Sequence, residues 1–144
     1  MIRRYISALS ILLVSLLLTT SYAFAQVNYS LIPYPKSLEP AKGNFYITKQ
    51  TVIGSASAAK FSSEIKQLNQ LFAESFKAGL KVSKTPRQTN VIDIAYDPAI
   101  KSPGEYRLTI TPTKVTITSG SNAGVFYAIE TIRQLLPVSV EEGI

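Results

Sequence analysis

The chain has 144 residues, a formal net charge of +6 at pH 7, and no histidine, cysteine or tryptophan. Without histidine and cysteine it lacks the usual ligands of zinc and the usual base of a serine or cysteine triad, which argues against metal hydrolases and triad hydrolases. Its basic residues are scattered and form no stripe interleaved with aromatic residues, which argues against nucleic-acid binding.

The amino terminus has the layout of a secretory signal peptide. Two arginines precede an apolar run from Ile6 to Leu18, and Ala23-Phe24-Ala25 offers the small residues of a cleavage site. The run is shorter than the roughly 20 residues of a membrane-spanning helix, which disfavours a retained anchor. We therefore expect residues 1–25 to be removed on export. The mature protein would be soluble, and it has no cysteine that could carry a lipid anchor.

The next part of the chain predicts an extended segment followed by two strands. Residues 26–43 contain three prolines, which fix φ and remove backbone donors, so we predict an extended entry segment. Clusters of β-forming residues at 44–47 and 51–53 then predict two short strands before a turn that begins at Gly54.

A first helix is predicted by apolar side chains that recur at spacings of four, three, four and four residues. These side chains lie on one helical face: Phe61, Ile65, Leu68, Phe72 and Phe76. Ser57 is the expected N-cap and Gly79 the expected stop. Residues 81–89 are polar and contain Pro86, so we predict a loop there.

Three more strands are predicted in the second half. The run from Val91 to Tyr96 is typical of a buried strand. Residues 106–111 and 114–119 alternate apolar and polar side chains on either side of Pro112-Thr113, which predicts a β-hairpin with one apolar face.

A second helix follows, with Ser121 as its expected N-cap and Pro137 as its stop. Its apolar residues repeat at four, three and four: Val125, Ile129, Ile132 and Leu136. The resulting order, ββαβββα, predicts an α/β (α+β) two-layer sandwich over residues 44–137. We expect a mixed, mainly antiparallel sheet with both helices on one face.

Carboxylate pairs can hydrolyse glycosidic bonds, so the acidic residues are the remaining candidates for chemistry. The chain has nine: Glu39, Glu64, Glu74, Asp93, Asp97, Glu105, Glu130, Glu141 and Glu142. Each has a structural explanation, and the adjacent Glu141-Glu142 pair follows the last predicted element, where nothing holds it. We therefore assign no catalytic, cofactor-binding or metal-binding residue.

Two glycines at the start of the second helix, Gly120 and Gly124, match neither a phosphate-binding loop nor a dinucleotide fingerprint. We predict instead that Gly124 lets this helix approach the sheet closely.

Five segments taken in order resemble the amino-terminal domain of glycoside hydrolase family 20, the β-N-acetylhexosaminidases. They span most of the mature chain: Leu31–Ser37, Gly43–Ile47, Glu105–Leu108, Ala123–Ala128 and Thr131–Pro137. The resemblance implies a small α/β domain that supports a (β/α)8 catalytic barrel, which removes terminal N-acetylglucosamine or N-acetylgalactosamine from glycans.

In that family the 2-acetamido group of the substrate attacks the anomeric carbon, a glutamate protonates the leaving oxygen, and a neighbouring aspartate orients the acetamido group. The Asp-Glu pair and the tryptophan-lined pocket belong to the barrel. This chain contains neither an Asp-Glu dipeptide nor a tryptophan, so no catalytic residue carries over.

We therefore expect an exported fragment that is inactive alone and uses no cofactor, with residues 138–144 opening a linker to a missing catalytic barrel. One alternative is a stand-alone carbohydrate-binding module that stacks sugars on Tyr29, Tyr34 and Tyr46. The other is a domain that docks a protein partner.

Overall fold

A computed structural model describes residues 29–77, 79–85 and 87–137 of the chain. The predicted signal peptide, the first three residues of the entry segment, Pro86 and the predicted linker at 138–144 lie outside the described residues. The elements in chain order are β1 Val52–Gly54, α1 Ser62–Phe76, β2 Lys81–Ser83, β3 Val91–Tyr96, β4 Tyr106–Ile110, β5 Lys114–Ser119 and α2 Asn122–Leu135. Within the described ranges, neither helix has the length and apolar character needed to span a bilayer.

The five strands form one mixed sheet in the order β2-β1-β3-β5-β4. β1 pairs in parallel with both β2 and β3, β3 pairs in parallel with β5, and β4 pairs antiparallel with β5. The prediction of a mainly antiparallel sheet is therefore wrong. The physical reason is that α1, residues 84–90 and β4 each carry the chain back to the starting end of the sheet before the next parallel strand begins.

The element order also differs from the prediction, because it is βαββββα. Residues 44–47 form no strand; Phe45 and Ile47 pack against the core, so their β-forming character reflects burial and not pairing. Lys81–Ser83, predicted as part of a loop, forms β2 by parallel pairing with β1. The other predicted strands are present, the one at 51–53 starting one residue later.

The predicted hairpin is confirmed, and its register separates two faces of the sheet. Leu108 faces Ile117 across the pair, while Arg107 faces Thr118. Opposite residues point to the same side of an antiparallel pair, so apolar and polar residues segregate to opposite faces. The apolar face lies under the helices.

Both helices cover that face, as predicted, and the two-layer α/β sandwich is confirmed. Side chains from α1, α2 and four of the strands or their flanks meet in one buried cluster: Ile53, Phe61, Ile65, Leu68, Phe72, Leu80, Ile92, Ile94, Val115, Ile117, Val125, Ala128, Ile129 and Ile132. The helical periodicity read from the sequence therefore identified the packing faces of both helices.

The helix ends are partly as predicted. Ser121 caps α2 by accepting a hydrogen bond from the Gly124 amide at 3.1 Å. Ser57 does not cap α1, which begins at Ser62. The Ser57 carbonyl instead accepts hydrogen bonds from the Lys60 and Phe61 amides in the turn before the helix. The stop of α1 is Lys77, which adopts a left-handed conformation at φ 59°, so the assignment of Gly79 was wrong.

Gly124 holds α2 close to the sheet. A Cβ at this position would collide with the Ser119 hydroxyl and the Glu105 carbonyl oxygen. Those two atoms are hydrogen-bonded to each other at 2.8 Å, so neither can move aside freely. The predicted reason for this glycine, a close approach of helix and sheet, is therefore confirmed.

Gly124→Ala is expected to lower the free energy of unfolding by about 1–3 kcal/mol, because the added methyl forces the helix off the sheet. The direction of the change in unfolding free energy is informative, since glycine to alanine at an uncrowded helical position would stabilise the protein by up to about 1 kcal/mol. Urea denaturation of the 144-residue chain measures the change.

The neighbouring exposed residue provides the matched control: Ala123→Ser should stay within roughly 0.5 kcal/mol of the parent sequence. A Gly124→Ala variant as stable as the unmodified chain, or more stable, contradicts the close approach.

Candidate interdomain surface

Several acidic side chains are engaged in contacts that hold elements together. Asp93 forms an ion pair with Lys114 at 2.8 Å across the polar face of the sheet. Glu130 accepts a hydrogen bond from Gln67 at 2.9 Å, which joins the two helices. Half-buried pairs of this kind fix neighbouring elements and leave no free acid and base facing each other.

The other described acidic side chains either accept structural hydrogen bonds or are exposed to solvent. Asp97 accepts a hydrogen bond from the Ala99 amide at 2.9 Å, and Glu64 accepts one from Asn122 at 2.9 Å. Glu39 and Glu105 are exposed. The Glu74 side chain and the Glu141-Glu142 pair lie outside the description. Among the described residues no three acidic side chains gather where they could hold a metal ion.

Helix α2 carries two adjacent aromatic residues on its outer side. Phe126 and Tyr127 are 41% and 51% exposed, whereas Val125 and Ala128 on either side of them are buried in the core. Their rings meet edge to face, with centroids 5.5 Å apart and planes at 74°. Two large apolar side chains placed together on a surface indicate a contact site more strongly than a single one does.

The side of α2 that carries Tyr127 is fixed to the hairpin. The Thr131 hydroxyl donates to the Tyr127 carbonyl at 3.0 Å, so the hydroxyl of Tyr106 in β4 is the donor in its 2.7 Å bond to Thr131. The Tyr127 ring lies over Gly104, where a Cβ would come within 3.0 Å of Cε2. The Thr131 bonds tie the helix to β4, and the contact with Gly104 packs one edge of the Tyr127 ring while 51% of the residue stays exposed.

The entry segment is attached at the far end of the same side. The Gln134 side chain makes two hydrogen bonds to the backbone of one residue: Oε1 accepts from the Ile32 amide at 2.8 Å and Nε2 donates to the Ile32 carbonyl at 3.0 Å. Positions 127, 131 and 134 of a helix lie on one side, because they are spaced by four and three residues. We call Phe126, Tyr127, Thr131, Gln134 and Ile32 the α2 flank.

Val82, another exposed apolar residue, lies away from the α2 flank. Val82 is on the edge strand β2, at the opposite end of the sheet from β4. Beside it is a shallow depression of about 360 Å³, lined by Ser62, Ile65, Lys66, Asn69, Gln70, Ala73, Gly79 and Val82. The tyrosines considered for sugar stacking do not line it. Tyr34 and Tyr46 are exposed, and Tyr29 is half-buried.

Part of the α2 flank could have been predicted from the sequence, although the apolar repeat of the helix does not include it. Phe126 and Tyr127 are apolar residues that fall off the Val125, Ile129 and Ile132 face, and they therefore have no place in the core. The Gln134 contact has no such signal, because it joins residues 102 positions apart.

Comparison with known proteins finds a family match over most of the chain. Residues 28–144 match the family described as glycosyl hydrolase family 20, domain 2. No curated protein sequence matches the chain.

Solved hexosaminidase structures share its fold. The chain is similar to the Streptomyces plicatus N-acetyl-β-hexosaminidase bound to Thio-NAglucal, with 30% identity and a TM-score of 0.65, covering 76% of this chain and 21% of that one. It is also similar to the family 20 β-N-acetylhexosaminidase of Streptomyces coelicolor A3(2), with 29% identity and a TM-score of 0.68. That match covers 76% of this chain and 22% of the Streptomyces coelicolor chain. The Bacteroides fragilis enzyme, at 22% identity and a TM-score of 0.56, shares the fold over 72% of this chain and 20% of its own. The chain therefore spans about a fifth of the length of these enzymes.

Removal of an exposed aromatic ring from the α2 flank is expected to change the stability of the 144-residue chain little. Phe126→Ser should cost under about 1 kcal/mol, because the ring is substantially exposed and serine has a similar helix propensity. Phe72→Ala, which removes a fully buried ring, should cost about 3–5 kcal/mol. Chemical denaturation of both variants makes the comparison, and equal losses would mean that Phe126 belongs to the core.

Proposed function

The chain belongs to glycosyl hydrolase family 20, as domain 2 of that family, and we propose that it is the accessory domain of an exported β-N-acetylhexosaminidase. In this proposal residues 44–137 form the domain, residues 26–43 lead into it, and residues 138–144 open a linker to the catalytic barrel. The observation that carries the proposal is the family match over residues 28–144 by a chain that spans only a fifth of the related enzymes.

The contacts of the acidic residues support an accessory role over a catalytic one. Hydrolysis of a glycosidic bond requires carboxyl groups that face a substrate across a cleft. Asp93 and Glu130 are instead occupied by Lys114 and Gln67, and the depression beside β2 is lined by no acidic residue. The parent enzyme would take its acid and its acetamido-orienting residue from the barrel.

The α2 flank supports a contact with that barrel. Phe126 and Tyr127 expose apolar rings whose transfer out of water is favourable, and the Tyr127 ring is already packed against Gly104 before any partner arrives. A neighbouring domain that covers these rings gains their burial at little cost in ordering. In this account the domain supports the barrel, which acts on terminal N-acetylhexosamine of glycans.

A stand-alone carbohydrate-binding module is the second candidate, and the exposure of Tyr34 and Tyr46 favours it. Sugar rings stack on aromatic faces that are open to solvent. Titration of the 144-residue chain with chitooligosaccharides distinguishes the two, since saturable binding favours the module and no binding favours the accessory domain.

The 144-residue chain is expected to show no turnover of a chromogenic N-acetylglucosaminide, because it has no Asp-Glu pair and because Asp93, Glu64 and Glu130 are held in structural contacts. The full-length parent, expressed from the same locus, is expected to hydrolyse it. Turnover by the short chain that a single carboxylate substitution such as Asp93→Asn abolishes would contradict the accessory role.

Export predicts a specific processing event. Expression of the 144-residue chain in a host with a general secretion pathway should yield a product whose first residue is Gln26, as read by intact mass and amino-terminal sequencing. Ala25→Lys, which places a long charged side chain at the cleavage site, should block processing, while Ala56→Lys at an exposed position provides the control. A product that keeps residues 1–25 in the unmodified chain argues against export.

A further inference from the structure

The entry segment is held against the domain by one side chain. Gln134 bonds both backbone groups of Ile32, much as a neighbouring strand would, although no strand is present there. The preceding residue, Leu31, is buried at 7% exposure and provides a second attachment. Together the two contacts fix the backbone of the segment at Leu31 and Ile32.

The side chains presented by this fixed backbone are apolar and open to solvent. Ile32 is 80% exposed and Tyr34 is 65% exposed. An isoleucine held rigidly and almost fully in water contributes nothing to the core of this domain. Its placement is explained if another surface covers it.

The position of the segment indicates which surface that is. Gln134 precedes Pro137, the last described residue, by three positions, and three residues span at most about 11 Å. The described domain therefore ends within about 11 Å of Gln134, the residue that bonds Ile32, and the proposed linker to the following domain begins there. Ile32 also continues the line of Tyr127, Thr131 and Gln134 along the α2 flank.

We propose that the Leu31–Lys36 segment is a docking element for the catalytic domain that follows this chain, with Gln134 as the residue that positions it. The inference rests on the proposed function and adds a second contact to it, made by the entry segment and not by a helix. The catalytic domain covers Ile32 and Tyr34, and the Gln134 bonds hold them in the bound conformation beforehand, which lowers the cost of ordering the segment on docking.

Thiol labelling in the intact parent enzyme tests this directly, because the 144 residues contain no cysteine. Single variants Ile32→Cys, Phe126→Cys and Val82→Cys place one thiol at the segment, on the helix and at the opposite sheet edge, and mass mapping separates them from any thiol of the barrel. In the parent, Ile32→Cys should react with a maleimide at least roughly tenfold more slowly than Val82→Cys, because docking excludes solvent. In the 144-residue chain the two should react at similar rates.

The outcomes separate the two proposals. If Phe126→Cys is protected in the parent and Ile32→Cys is not, the accessory role stands and the docking of the segment is overturned. If neither is protected, both fail. If Ile32→Cys in the 144-residue chain becomes protected as the protein concentration rises, the segment binds a second copy of the chain. If it becomes protected only when chitooligosaccharide is added, the segment binds a glycan. Either result overturns the proposal.

The role of Gln134 is read in the same assay. Adding Gln134→Ala to Ile32→Cys should raise the labelling rate in the parent towards that of Val82→Cys, because the segment loses its fixed conformation. Adding Gln70→Ala, at an exposed position of α1, should leave the rate unchanged. A rate unaffected by Gln134→Ala shows that Gln134 does not position the segment.

Discussion

The seating of α2 on the sheet is the constraint on which the rest of this structure depends. The helix reaches van der Waals distance of the β4 and β5 ends only because Gly124 has no side chain beside Ser119 and the Glu105 carbonyl. Once seated there, α2 places Val125, Ala128 and Ile129 in the core and leaves its neighbouring residues in solvent. The same helix thus closes the core and carries the surface that the proposed function uses.

Local patterns in the sequence were sufficient to predict the helices and the hairpin, which depend on local contacts. The period of Val125, Ile129 and Ile132 identified the buried face of α2, and the alternation on either side of Pro112 identified the hairpin. The parallel pairing was not accessible in this way, since it depends on where each connection delivers the chain and not on which residues the strands contain. β2 shows this most clearly, because Lys81–Ser83 is short and largely exposed, contains a single apolar residue, and becomes a strand only by pairing with β1.

The α2 flank could be predicted only in part, because one part of it shows in the local pattern and the other depends on a long-range contact. The extra aromatic residues at 126 and 127 stand out against the helical period, whereas the Gln134 to Ile32 contact joins distant parts of the chain through atoms that every glutamine and every backbone possess. For the chemistry, the composition was the informative feature. A chain without histidine and cysteine offers only carboxylates for hydrolysis, and the described contacts of Asp93, Glu64 and Glu130 tie those carboxylates to neighbouring elements.

The central claim is that the outer side of α2 is covered by a catalytic domain in the parent chain. Hydrogen exchange followed by mass spectrometry tests it most directly, with the intact parent compared to the 144-residue chain. If the catalytic domain covers this side, peptides that cover residues 122–135 should exchange more slowly in the parent, and peptides that cover β2 at the opposite sheet edge should exchange at an unchanged rate. Equal exchange of the α2 peptides in the two proteins would contradict it.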